Sequence, residues 1–461
     1  MKRHKFPRTV STFSLATLIL LPPCAAGQGY EVWMTDQNNT AGYTAQAPRG
    51  THGGRLFIYN GEDLDNPNGA VNRPEIIDLA VLFAMGGPNN STGANVSRPH
   101  MIIPSPTHDY YALAFVASGH VAVIDGLTRQ PKVLFRMSAG AGGARQAHAA
   151  FWTQDGTAII VANQNGKLLE RINYNPATDI FTHDVAATLN LATCTTPGGR
   201  PCESATPLNT SDPAHIGPHN RPDNAPICPV TTINDKTIVT LRGGGLFVVD
   251  HRATPMAIVG EYGNSMVGRD GCGGVQSGAS IYLLTGAGTT VTNPSAFYVW
   301  ELKDRFPSAP NFLPPNDANI RPRFWAGNAS DGRDGHGLAI SAGGHYLWVF
   351  DRSDMVDIYR LPNAKYAGGI NLRASGLSAD PTPDLVTLSP LGNRFYASLR
   401  GPKPQTGSPH VAVGSTPGLG IIEITKGGAS GHLSQILRTT FTNPVDQSEE
   451  SDPHGICVRL N

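Results

Sequence analysis

One unit recurs along the chain, and internal repetition limits the fold more than composition does. The unit opens on a small-residue turn ending in His, Cys or Asp. It continues as a short apolar strand, then crosses turns into a second and a third apolar run. His100 leads to Tyr110–Phe115 and His120–Asp125, His148 to Thr157–Ala162 and Lys167–Ile172, and Cys228 to Lys236–Leu241 and Leu246–Asp250. Cys272 leads to Ser280–Thr285 and Phe297–Leu302, His336 to His345–Phe350 and Met355–Tyr359, and Asp384 to Asn393–Ser398 and Gly420–Ile424. The step from opening residue to second run is 10, 9, 8, 8, 9 and 9, which is a structural register.

The two ends supply one more unit. His454 opens a first strand with no second, while Tyr30–Thr35 and Arg55–Tyr59 form a second and third with no first. Joined, they predict an all-β, seven-bladed β-propeller closed by pairing of the N- and C-terminal strands in one blade. Closure of this kind removes sheet edges. The ring is expected to be a single domain over residues 28–461. The gaps Gly61–Ser97, Ala186–Asn224, Lys303–Asp331 and Pro402–Pro417 are rich in Pro, Gly and Asn and read as loops on one face of the disc.

Residues 1–27 read as a signal peptide. Lys2, Arg3, Lys5 and Arg8 precede the apolar Leu15–Leu21 and the small residues Cys24–Gly27. The apolar run is too short to span a bilayer, so the protein is expected to be periplasmic or secreted with no membrane span. Lys+Arg and Asp+Glu both count 35, and that balance argues against a nucleic-acid partner. Export permits disulfides. Cys194 and Cys202 bracket a short loop as a covalent staple; Cys228 and Cys272, at equivalent positions in neighbouring blades, read as a disulfide clamp, with thiolate ligation as the alternative.

In propellers the first strand of each blade lines the central channel. Around the ring its opening position holds His454, His100, His148, Cys228, Cys272, His336 and Asp384, all types that bind metals. His100, His148, His336, His454 and Asp384 are the expected ligands. Imidazole-rich sets suit copper, zinc or iron. Arg98, Arg145, Arg269 and Arg333 precede ring positions by two or three residues and are candidates for holding an anionic small-molecule substrate; pairing with neighbouring Asp residues is the competing role.

The stretches Val32–Gln37, Val161–Gly166 and Val121–Asp125 resemble the YVTN-type and nitrous-oxide-reductase-like propeller families across nearly the whole chain after residue 27. That resemblance implies the seven-bladed fold and favours copper. The sequence departs from the reductase pattern, since the ring is not all His and no Cys-x-x-Cys-His haem motif is present. Three functions therefore stand open at sequence level. The first is a copper-type oxidoreductase on a small substrate, anionic if those arginines hold it, with an external electron acceptor. The second is a non-enzymatic ligand- or protein-binding propeller. The third is a metal-dependent, lactonase-like hydrolase or lyase.

Overall fold

The computed structural model describes residues 29–66, 73–204, 219–268, 271–286, 296–315, 321–328, 333–407 and 411–461. The expected signal peptide and Arg269 lie outside them. Twenty-eight strands form seven four-stranded antiparallel sheets, six of them built from consecutive strands. These six are β4–β7 (Pro99–Arg136), β8–β11 (Ala147–Asn190), β12–β15 (Pro226–Tyr262), β16–β19 (Gly274–Asn328), β20–β23 (Gly335–Asn371) and β24–β27 (Pro383–Arg438). The seventh has the order β28-β1-β2-β3. In it β28 (Pro453–Leu460) pairs antiparallel with β1 (Tyr30–Asp36), from Tyr30 opposite Leu460 to Asp36 opposite Pro453. The terminal strands thus close the ring as expected.

Apolar side chains pack between successive blades. Leu56 and Ile58 of β2 (Arg55–Asn60) share one cluster with Leu113 and Ala122 of the next blade, and Trp33 stacks on Tyr111 across the same seam at 4.4 Å between ring centroids. Burying both faces of every second and third strand makes those strands near-continuous apolar runs. This is why the sequence displays them.

The fourth, outermost strand of each blade is the part that the repeat reading left out. The gaps taken as loops contain β3 (Glu75–Asp78) and β19 (Arg323–Asn328), and β11 (Ile180–Asn190) runs into another. Most outer strands are kinked by a bulge, and β15 (Ala257–Tyr262) is buried beyond its first residue. β7 (Pro131–Arg136) and β23 (Lys365–Asn371) show mostly half-buried or exposed residues, and the longest apolar run in either is Val133–Phe135.

Candidate functional site

Every ring residue expected from the sequence stands at or just before the start of an inner strand. His100, His148, His336, Asp384 and His454 are each the second residue of theirs. The backbone there is specialised. Pairing between first and second strands slips at His100, His148, Cys228, His336, Asp384 and His454, where the inner strand carries an extra residue. A β-bulge of this kind re-aims a side chain and frees its amide from the ladder.

In three blades a hydroxyl one residue from the end of the second strand takes up that amide. Thr35 accepts from Gly455 N (2.8 Å), Thr240 from Cys228 N (3.3 Å) and Ser398 from Leu385 N (3.1 Å). Each hydroxyl also donates to the next blade, Thr35 to His100 O (2.9 Å), Thr240 to Gly271 O (2.5 Å) and Ser398 to His454 O (2.5 Å). The bulges are thereby stitched blade to blade. Glycine follows His454 for a related reason: a Cβ at Gly455 would stand 2.4 Å from His100 O. The penultimate Thr and Ser were a readable signal that the repeat analysis passed over.

Five ring residues form an unbroken arc. His336 Nε2 lies 3.1 Å from Asp384 Oδ1, and His454 Nε2 lies 3.7 Å from Asp384 Oδ2. His454 stacks on His100 at 3.7 Å between centroids, and His100 Nε2 meets His148 Nε2 at 3.2 Å. Cys228 and Cys272 occupy the rest of the circle as a disulfide, and Cys194–Cys202 forms the other. The clamp therefore holds the sulfurs out of the imidazole set in this oxidation state.

The hydrogen bonds fix the tautomers of three imidazoles. His148 Nδ1 faces Ile227 O at 2.8 Å and His454 Nδ1 faces His100 O at 3.2 Å. A carbonyl only accepts, so both Nδ1 atoms carry the proton. His100 Nδ1 faces Gln37 Oε1 at 2.9 Å, and the Gln37 amide is oriented by its Nε2 donating to Asp452 Oδ2 at 3.3 Å. His100 Nδ1 is thus a donor as well. All three Nε2 atoms are left bare in the neutral ring, and two of them confront each other across 3.2 Å. The Nε2 atoms of His336 and His454 are buried with no hydrogen-bond partner, despite the Asp384 carboxylate beside them. Bare lone pairs aimed at one another and at a carboxylate form a donor set that could hold a cation. An Nδ1–H held by a backbone carbonyl or amide is the usual support of a metal-ligating imidazole.

Electrostatics keep the imidazoles neutral. Burial pushes His148 down to about 4 and His454 down to about 3, and holds His100 and His336 well below the ordinary range. Asp384 is fully buried; burial opposes its charge, but Arg352 and the imidazole and guanidinium groups around it hold its carboxyl well below the usual range. Arg352 donates to it at 2.9 Å and Arg400 at 2.5 Å. The chain continues outward, from Arg352 to Asp334 at 3.0 Å and from Arg400 to Asp452 at 2.6 Å. Burial pushes the Asp334 and Asp452 carboxyls up against the pull of these guanidiniums, in contrast to Asp384.

Of the four arginines expected to hold substrate, Arg98, Arg145 and Arg333 lie among the described residues. Arg333 pairs with Asp351 (2.9 Å) and Asp357 (2.5 Å) and lies over the Phe297 ring of the preceding blade. Arg145 donates to Met137 O at 3.0 Å, and Arg98 to Gln405 O at 3.3 Å with its buried Nε unpartnered. Among the described residues Arg352 and Arg400 reach the ring, each the residue after its second strand.

The sequence matches no protein-family model and no curated protein. Solved structures do match. A Bacteroides uniformis protein described as a 6-phosphogluconolactonase superposes with TM-score 0.52 at 12% identity, over 94% of this chain and 100% of that one. A Bacteroides fragilis protein described in the same way gives TM-score 0.51 at 14% identity, over 93% and 98%. A periplasmic gluconolactonase of Pseudomonas aeruginosa gives 0.51 at 12%, over 94% and 99%. The chain shares their seven-bladed fold. At such identities the likeness concerns fold alone, and function rests on the site.

Proposed function

We propose that the protein is a hydrolase of small cyclic esters, with a divalent metal held at the channel mouth by His336, His454 and Asp384. The observation that carries this reading is the pair of buried, partnerless Nε2 atoms on His336 and His454, both beside the ionised Asp384. Imidazole plus carboxylate is a donor set for zinc, iron or copper. Such a metal supplies Lewis acidity toward an ester carbonyl and lowers the pKa of bound water. The protein's own part is to keep His336 and His454 unprotonated, to keep Asp384 ionised and to pin its carboxylate with Arg352 and Arg400. Lactone opening adds one water and transfers no electron, so it needs no redox partner. The three lactonase-named structural neighbours support this chemistry over an oxidoreductase. Two disulfides and a periplasmic neighbour support an extracellular or periplasmic location. Among the described residues no helix is long and apolar enough to cross a membrane.

Glucono-1,5-lactone opening, followed in a pH-stat, tests the reading. Chelation should abolish activity, zinc should restore it, and His454→Ala should be inactive while folded. Chelator-resistant activity would overturn the metal role; no activity on any lactone in metal-loaded protein would leave a binding propeller.

A copper centre is the second reading, favoured by the 3.2 Å His100–His148 contact. Two imidazole nitrogens about 2.0 Å from one tetrahedral ion stand about 3.3 Å apart. The resemblance to nitrous-oxide-reductase-like propellers supports it, and it requires an external electron acceptor.

A further inference from the structure

We propose that reducing the Cys228–Cys272 disulfide creates a second, sulfur-rich metal site in the channel, one that takes a soft monovalent ion such as Cu(I). The site rests on residues apart from the His336–Asp384–His454 group and does not depend on the hydrolase reading.

Four donors converge there. A ring nitrogen of His148 and the two sulfurs lie within 4.8 Å of one another. The Nδ1–H of His148 is held by Ile227 O at 2.8 Å, and its Nε2 carries the free lone pair, 3.2 Å from His100 Nε2. The thioether of Met101, one residue past His100, touches both sulfurs, 4.0 Å from Cys228 Sγ and 3.8 Å from Cys272 Sγ. Its side chain is buried, as are both cysteines. A methionine packed against a disulfide is ordinary core. A methionine, a disulfide and a tautomer-locked imidazole with a free lone pair together form a closed soft-donor set. Sulfurs about 2.3 Å from a shared tetrahedral ion stand about 3.8 Å apart, and the Cys228 and Cys272 Cα atoms, 5.2 Å apart, leave the sulfurs room to separate to that distance by side-chain rotation.

The chemistry balances with a dithiol as reductant. Two electrons and two protons pass from the dithiol to the disulfide; the dithiol becomes the cyclic disulfide, and Cys228 and Cys272 become thiols. Binding Cu(I) then releases the thiol protons to solvent. Thiolate, thioether and imidazole are the ligands that select Cu(I). In the oxidised protein the sulfurs are spent on each other and the site is closed.

The test is Cu(I) titration against a chromophoric competitor, using the Cys194→Ser/Cys202→Ser variant so that its other disulfide contributes nothing. The dithiol-reduced protein should hold one Cu(I) equivalent more than the oxidised protein, and the copper absorption edge should show sulfur and nitrogen ligands. Adding Cys228→Ser/Cys272→Ser should remove that extra equivalent. Should that variant not fold, Met101→Leu and His148→Gln serve instead, each expected to weaken the extra site tenfold or more. Equal Cu(I) content in the two oxidation states would overturn the proposal. A disulfide that dithiol leaves intact in the folded protein would overturn it equally. Lactone hydrolysis by the oxidised protein should be untouched by Met101→Leu, which separates failure here from failure of the hydrolase reading.

Discussion

Replacing Arg400 with Met should be among the most damaging single changes in the chain. Its side chain is fully buried, as are those of Asp384 and Asp452. It donates to Asp384 at 2.5 Å, to Asp452 at 2.6 and 2.9 Å, and to Thr406 O at 2.8 Å. Arg400→Met would leave Asp452 without its hydrogen-bonded guanidinium and Asp384 with Arg352 alone. Breaking one partner of a buried pair costs about 3–5 kcal/mol, and with two carboxylates affected about 5 kcal/mol is the expected loss at neutral pH. At a urea m-value of roughly 3 kcal/mol/M that lowers the unfolding midpoint by roughly 1.7 M. Burial already raises the Asp452 carboxyl, and losing the guanidinium raises it further above its unfolded range. The folded variant then binds protons that the unfolded chain does not, so its stability falls as pH rises through that window. The deficit should therefore shrink toward pH 4. A double-mutant cycle with Asp452→Asn should show strong coupling, because the second change removes a charge the first had orphaned. Urea melts at pH 7 and pH 4 decide the matter. A loss below about 1 kcal/mol at pH 7, or additive single changes, would refute the idea that a paired buried row holds these three blades together.

Acid should destabilise the wild type through the imidazoles. Burial depresses His148 to about 4 and His454 to about 3, so between pH 6.5 and about 4 only the unfolded chain takes up these protons. Stability then drops with falling pH by up to about 1.4 kcal/mol per unit per imidazole; denaturant midpoints in chelator should show it, and His148→Gln should flatten the slope. Ser398→Ala removes a hydroxyl bonded to Leu385 N and His454 O and should cost about 1–3 kcal/mol by denaturation, with no such loss for Ala114→Ser at the equivalent position of another blade. Replacing Cys228 and Cys272, 44 residues apart, should cost more than replacing Cys194 and Cys202, 8 apart. The chain-entropy values are about 4 and about 2.5 kcal/mol, and calorimetry of the two double-Ala variants would show the order reversed if loop closure does not govern.

The inner three strands of every blade were legible because two buried faces leave apolar runs of even spacing. The ring was legible because His, Cys and Asp interrupt those runs at one register position. What lay hidden follows from the same physics. Outer strands such as β7 and β23 are mostly half-buried or exposed and bulge, so at most the three-residue run Val133–Phe135 marks them. Arg352 and Arg400 reach the ring from the ends of second strands, one sheet position away from the repeat's opening residue, and sequence spacing carries no sign of which arginine turns inward. Arg333 illustrates the converse: it stands three residues before His336 yet pairs with Asp351 and Asp357 of its own blade. Tautomers are a property of the fold, since Ile227 O and Gln37 come from other blades.

Elemental analysis of the purified protein, wild type beside His454→Ala, tests the central claim most directly. The account predicts at least about one equivalent of zinc, iron or copper per wild-type chain after reconstitution, and its loss in the variant while the fold persists. A folded wild type that retains none of these ions would contradict it.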